Sequence, residues 1–143
     1  MGLIQEILRS KGNEVWSVKP EDSVYRALEK LADKDIGALC VVDDTGRLVG
    51  FFSERDYARK VILKGKDSVN TSVSDIMATK LVTVTPDTSV DACMNLMTDH
   101  KIRHLPVLDG DRLVGLVSIG DLVKHIIASQ KQTISQLEQY ITS

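Results

Sequence analysis

Two short strings hold the residues best suited to chemistry: Gly50-x-x-Ser53-x-x-Asp56 and Gly115-x-x-Ser118-x-x-Asp121. In each, an aspartate follows a serine by three residues at the start of a helix. Its two acceptor oxygens suit the paired hydroxyls of a ribose. The serine hydroxyl and the first helical amides point outward, toward where an anionic group would sit. The glycine ends a strand and lets a ligand approach the backbone. The same residues also spell a capping box, with serine as N-cap and an acid at the third helical position. Both roles stay open, because Ser53 can cap the helix while Asp56 faces a ligand.

Other chemistries find little footing. The sequence has no Ser/His/Asp or Cys/His pair, no Gly-Lys-Ser/Thr phosphate loop and no Gly-x-Gly-x-x-Gly after a strand, so no enzymatic activity is expected. His100, His104 and His125 lie on different elements without a cysteine pair, and no metal site is expected. The formal net charge of −2 leaves no basic stripe for nucleic acid, and 4% aromatics are too few for stacking on bases. No apolar run approaches a membrane span. Met1-Gly2-Leu3-Ile4 lacks the basic start of a signal peptide, and Glu6 stands where a myristoylation motif wants Ser or Thr. A cytoplasmic location follows as the default. Cys40 and Cys93 sit in apolar stretches and read as buried, reduced thiols.

The elements that must position these residues occur twice. Ser17-Val18-Lys19-Pro20 returns as Thr83-Val84-Thr85-Pro86, and Arg47-Leu48-Val49-Gly50 returns as Arg112-Leu113-Val114-Gly115. Each copy reads as a strand (Val15 to Val18; Leu81 to Val84) stopped by proline, then a helix. The helical stripes are Val24, Ala27, Leu28, Leu31 and Val90, Cys93, Met94, Met97, both at i, i+3, i+4, i+7. Two strands joined by an Asp/Gly turn follow: Ala38 to Val42 with Arg47 to Phe52, and Leu105 to Leu108 with Arg112 to Val117. A last helix covers about Glu54 to Leu63, or Ile119 to Ala128. The fold class is therefore α/β: two β-α-β-β-α repeats packed sheet to sheet. The first repeat spans residues 7–65 and the second 73–129, with a C-terminal helical tail over 130–143. Leu3 to Leu8 reads as the lead-in helix of copy one, and Val73 to Met77 as that of copy two. In the tail, Ile134, Leu137 and Ile141 keep helical spacing, so it packs over the module or against a second subunit.

The repeated strings, together with Ile102-Arg103-His104-Leu105-Pro106-Val107 and Gly115-Leu116-Val117-Ser118-Ile119-Gly120-Asp121-Leu122, resemble the cystathionine β-synthase-type (CBS) domain pattern. The resemblance covers about residues 7 to 128. It implies a pair of domains related by pseudo-twofold symmetry, with two ligand clefts between the repeats. It implies a homodimer, binding of an adenine nucleotide (AMP, ATP or NAD(H)), no required cofactor, and regulation of an unidentified partner protein. With no catalytic domain attached, a free-standing regulatory module is expected; the rival reading is a ligand-free structural dimerisation module.

The same resemblance places Arg103 and His104 in the cleft that holds Ser53 and Asp56 of the other copy. Arginine can fork onto a phosphate, and a protonated histidine can donate to it. Arg55 and the Thr85 hydroxyl are candidates for the same cleft. The other cleft then holds Ser118 and Asp121 facing Lys19, Gly37 and Ala38, where Lys19 is the nearby cation and small residues replace the Arg-His pair. The Asp56 cleft is accordingly expected to bind a phosphorylated ligand more tightly. The dimer interface is expected on the helices that carry the Val24 and Val90 stripes, or on their neighbours.

Overall fold

The computed structural model describes residues 2–12 and 14–142. Its elements are α1 (Ile4–Lys11), β1 (Ser17–Val18), α2 (Val24–Lys34), β2 (Ala38–Val42), β3 (Leu48–Ser53), α3 (Glu54–Tyr57), α4 (Val73–Ile76), α5 (Val90–His100), β4 (His104–Asp109), β5 (Arg112–Ser118) and α6 (Ile119–Thr142). A π-helical turn, Ala58–Ile62, continues α3. The fold is mixed α/β with two small sheets, ordered β1-β2-β3 and β4-β5. The chain divides into two compact units. One comprises Glu14–Val82 and Leu108–Val114; the other comprises Met1–Asn13, Thr83–Val107 and Gly115–Ser143. They are called here the first-repeat and second-repeat units.

In the first-repeat unit β1 runs parallel to β2 and β2 antiparallel to β3, with Ser17 opposite Cys40 and Ala38 opposite Ser53. Ser23 caps α2 by accepting from the Arg26 amide at 3.1 Å. The apolar stripe of α2 turns inward: Val24, Ala27 and Leu31 join Leu39, Val41 and Phe52 in the core. In the second-repeat unit Ser89 caps α5 in the same way, accepting from the Ala92 amide at 3.0 Å. Val90, Cys93 and Met97 are buried there, as are Leu105, Val107, Val117 and Leu122. Both stripes thus face their own cores. Cys40 and Cys93 are free and buried. Burial pushes their thiols up to about 12 and about 11.

Three further expectations need correction. The strand expected over Leu81 to Val84 is reduced to one parallel bridge, Val84 with Val107. The Val84 amide donates to Pro106 O at 3.1 Å, but Pro106 has no N–H to return. Copy one carries Cys40 at the matching place, and there the ladder forms. The last helix and the tail are one helix, α6, since nothing from Asp121 onward breaks it. Residues 130–141 are exposed throughout.

The third correction concerns the lead-in helices, which are exchanged. Ile4 N–H donates to Thr88 O (2.9 Å), Gln5 N–H to Pro86 O (2.8 Å) and Val90 N–H to Gly2 O (3.0 Å). The other unit repeats the pattern: Val73 N–H to Asp22 O (2.8 Å), Ser74 N–H to Pro20 O (2.9 Å) and Val24 N–H to Thr71 O (2.8 Å). So α1, first in the chain, belongs to the second-repeat unit, while α4 belongs to the first. Ile4 is fully buried there. Ile4→Ala is expected to cost about 2–5 kcal/mol through lost burial and a cavity. In amide hydrogen exchange the loss of protection should fall on 83–107 and 115–128. Faster exchange confined to 17–53 would contradict the exchanged arrangement.

Candidate functional site

Each Ser-x-x-Asp string sits where a strand hands over to a helix. In the second-repeat unit the Ser118 amide donates to Asp121 Oδ2 (2.9 Å), and the Asp121 amide donates to Ser118 Oγ (3.1 Å). In the first-repeat unit the Ser53 amide and hydroxyl both donate to Asp56 Oδ2 (3.0 Å each), and the Asp56 amide donates to Ser53 Oγ (3.2 Å). Both strings are therefore closed capping boxes, which satisfy otherwise orphaned helix amides.

The two glycines answer to packing, against the expectation of a close ligand. A Cβ at Gly115 would lie 2.6 Å from Leu8 Cδ2. At Gly50 it would collide with the side chain of Met77. Each glycine leaves room for a side chain on or just after the exchanged lead-in helix.

The second-repeat unit gathers the strongest set of polar groups. Arg103 O accepts from the Ile119 amide at 2.9 Å, which ties the start of β4 to the start of α6. Arg103 is exposed and His104 half-buried beside it. Lys11 reaches in from the end of α1. Its Nζ donates to Asp121 Oδ2 at 2.7 Å and to Leu116 O at 2.8 Å. Burial works to raise the Asp121 pKa, but Lys11 and the Ser118 amide outweigh it, so the carboxyl is held below its ordinary value. Burial depresses the His104 pKa; Asp121 opposes this, while Lys11 and Arg103 reinforce it. The imidazole is therefore neutral at pH 7.

Each unit brings together site residues of one repeat. Arg103 and His104 stand with Ser118 and Asp121 of their own repeat. Gly37 and Ala38 stand likewise with Ser53 and Asp56: the Glu54 amide donates to Gly37 O at 3.1 Å, and Ala38 faces Ser53 across the sheet. Lys60 supplies the cation there, 3.3 Å from Asp56 Oδ1 and 3.0 Å from Ile76 O. Arg55 is exposed on α3 and makes no ion pair among the described residues.

Lys19 and Thr85 are not brought to these groups. Lys19 pairs with Asp44 at 2.8 Å, beyond the C-terminal end of β1. Gly37 and Ala38 lie at the opposite end of β2, about 13 Å away at the usual rise per residue. Lys19 instead lines an open cavity of about 480 Å³ with Asp22, Arg26, Lys30 and Asp43. The Thr85 hydroxyl bonds Asp87, and its amide donates to Thr88 Oγ1 at 3.0 Å, so it closes a turn. Lys11 was the residue missed. Its signal was present, because Ile4, Ile7, Leu8 and Lys11 follow i, i+3, i+4, i+7, and the stripe ends on a lysine. Among the described residues no cluster of His, Cys, Asp or Glu could hold a metal, and no helix is long and apolar enough to cross a membrane.

Comparison with known proteins places these features in a family. The CBS domain family model matches residues 4–63 and 73–128. The mitochondrial CBS domain-containing protein CBSX3 of Arabidopsis thaliana is 40% identical over 96% of this chain and 71% of its own length. A CBS-domain protein from Burkholderia ambifaria superposes with a TM-score of 0.85 at 48% identity, covering 90% of this chain and 96% of that one. The CBS domain pair of protein MJ0100, solved with 5′-methylthioadenosine and S-adenosyl-L-methionine, superposes with a TM-score of 0.80 at 26% identity, covering 90% and 98%.

The Lys11–Asp121 contact makes a pH prediction. A carboxyl with a depressed pKa adds stability above its ordinary pKa, and that stability is lost as pH falls through the depressed value. Lys11→Met removes part of the depression. Acid unfolding followed by circular dichroism should then begin at higher pH than in the unsubstituted protein. An unchanged acid limb would show that the ammonium does not stabilise the Asp121 carboxylate.

Proposed function

This chain belongs to the CBS domain family, and from that we propose that it is a regulatory module whose second-repeat unit binds an adenine nucleotide. The observation that carries the reading is the convergence of Arg103, His104 and Lys11 on the Ser118–Asp121 helix start. Asp121 would accept the ribose hydroxyls, with its Oδ2 already held by Lys11 and the Ser118 amide. Arg103, exposed and forked, would take the phosphate, with His104 and Lys11 beside it. The adenosyl ligands held by the MJ0100 pair support the ligand class. AMP, ATP and NAD(H) all present an adenosine with phosphate on its 5′ side. The first-repeat unit, with Gly37 and Ala38 in the matching places, would be the weaker seat. Binding at such a helix start biases whichever arrangement holds the ligand better, and the regulated partner would read that bias.

Calorimetry with AMP tests the reading. Asp121→Ala should abolish the tighter event, whereas Asp56→Ala should leave it in place. Arg103→Ala should weaken AMP about tenfold or more, the value of a hydrogen bond to a charged group, and leave adenosine nearly unchanged. A protein whose melting temperature is unmoved by millimolar AMP, ATP and NAD(H) alike would sink the proposal and favour a structural dimerisation module.

His104 adds a pH signature. A bound phosphate favours the imidazolium, so the His104 pKa rises on binding and a proton is taken up. AMP affinity should therefore increase as pH falls from 8 toward 6, with much less change for adenosine. His104→Gln should flatten the AMP profile apart from the titration of the phosphate itself, and an undiminished slope would remove His104 from the site.

A further inference from the structure

Asp121 cannot serve a ribose as it stands, because one of its oxygens is already full. Lys11 Nζ donates to Asp121 Oδ2 at 2.7 Å, and the Ser118 amide donates to the same oxygen at 2.9 Å. A carboxylate oxygen offers about two lone pairs, and both on Oδ2 are taken. A carboxylate that holds the paired hydroxyls of a ribose receives one on each oxygen, so Oδ2 has to release a donor. The Ser118 amide is fixed by the backbone at the helix start that it closes. Lys11 is the donor able to leave, since it is exposed and its charge sits on a flexible stem. Its second bond, to Leu116 O at 2.8 Å, can persist through the move, because an ammonium has three donors. The seat of α1 does not depend on the Asp121 contact. Ile4 is fully buried, its amide bonds Thr88 O at 2.9 Å, and Leu8 packs where Gly115 leaves room.

We propose that Lys11 is the selectivity gate of this site: it leaves Asp121 when a ribose binds and passes to the phosphate of the same ligand. The gate rests on the nucleotide reading of the site and adds the basis of its preference among adenosyl ligands. With neutral adenosine the exchange is unfavourable. Hydroxyls replace an ammonium on the carboxylate, and the ammonium is left with Leu116 O and water. A 5′-phosphorylated adenosine brings its own anion, so the ion pair lost at Asp121 is matched by one gained at the phosphate. The path is short. Arg103, which would hold the phosphate, is tied through its carbonyl to the Ile119 amide at 2.9 Å, two residues before Asp121. Lys11 therefore acts twice against an unphosphorylated ligand: it occupies the ribose acceptor, and it yields only to an anion.

Calorimetry of the whole chain with adenosine and with AMP tests the gate in Lys11→Met and Lys11→Arg. Lys11→Met should bind adenosine about tenfold more tightly than the unsubstituted protein, the value of a hydrogen bond to a charged group, with AMP changed less than about threefold. The preference for AMP over adenosine should fall about tenfold in consequence. Lys11→Arg keeps a cation in place and should retain the preference. Unchanged adenosine binding with weakened AMP would make Lys11 a phosphate contact alone and overturn the gate. Equal weakening of both ligands would make it a support of the fold and overturn the gate as well. If neither ligand binds the unsubstituted protein or Lys11→Met, the nucleotide reading itself falls and the gate falls with it.

Discussion

Where β5 gives way to α6, one carboxylate answers to three groups at once. Asp121 closes the helix by accepting from the Ser118 amide, anchors α1 through Lys11, and raises the His104 pKa against the effect of burial. Much of the second-repeat unit is organised by that arrangement. The capping bond sets where the helix begins. The Lys11 contact links the far end of the lead-in helix to the same point, and the tie from Ile119 to Arg103 aligns the start of β4 with it. A partly buried carboxylate of this kind needs compensation, and the Ser118 amide and the Lys11 ammonium supply it. Asp56 is held in the same manner by Ser53 and Lys60, though its lysine comes from the following turn of its own helix.

The exchange of lead-in helices gives the two glycines their meaning. Leu8 can press against β5 only because Gly115 has no side chain, and Met77 against β3 only because Gly50 has none. A methyl group at either place would push the docked segment away, at a typical overpacking penalty of about 1–3 kcal/mol. In the second-repeat unit, displacing Leu8 would also displace Lys11, three residues further along α1. Packing at Gly115 and charge at Asp121 are thus coupled through one turn of helix.

Local pattern made much of this legible in the sequence. The 3.6-residue stripes led by Val24 and Val90 were readable because burial on one face leaves a periodic trace. The two strand–turn–strand segments and the duplication were readable for similar reasons. What escaped was long-range. Nothing in Leu3 to Leu8 states that its partners are Pro86 and Thr88, because the hydrogen bonds involved are made by backbone atoms. The within-repeat neighbours of Ser53 and Ser118 also escaped for want of a register, which shows the start of each β2-type strand beside the Ser-x-x-Asp of its own repeat. Lys19 and Thr85 were placed by sequence neighbourhood, yet Lys19 lies past the C-terminal end of β1 and Thr85 closes a turn. The loss of the expected strand at Leu81 to Val84 was inferable in principle, since Pro106 cannot donate to a neighbour.

The exchange also bears on how the chain is made. Residues leave the ribosome in order, so α1 emerges well before its seat, which is built from residues 83 to 118. The lead-in helix of the first-repeat unit, α4, is the reverse case, since its partners around Pro20 and Asp22 are already waiting when it appears. Between the emergence of residue 82 and that of residue 118, synthesis at 5–20 residues per second takes about 2–7 seconds. Throughout that interval Ile4, Ile7 and Leu8 form an apolar stripe with no place to go. Of the two lead-ins α1 is therefore the later to be sheltered, and a nascent-chain chaperone would find its hydrophobic target in Ile4, Ile7 and Leu8.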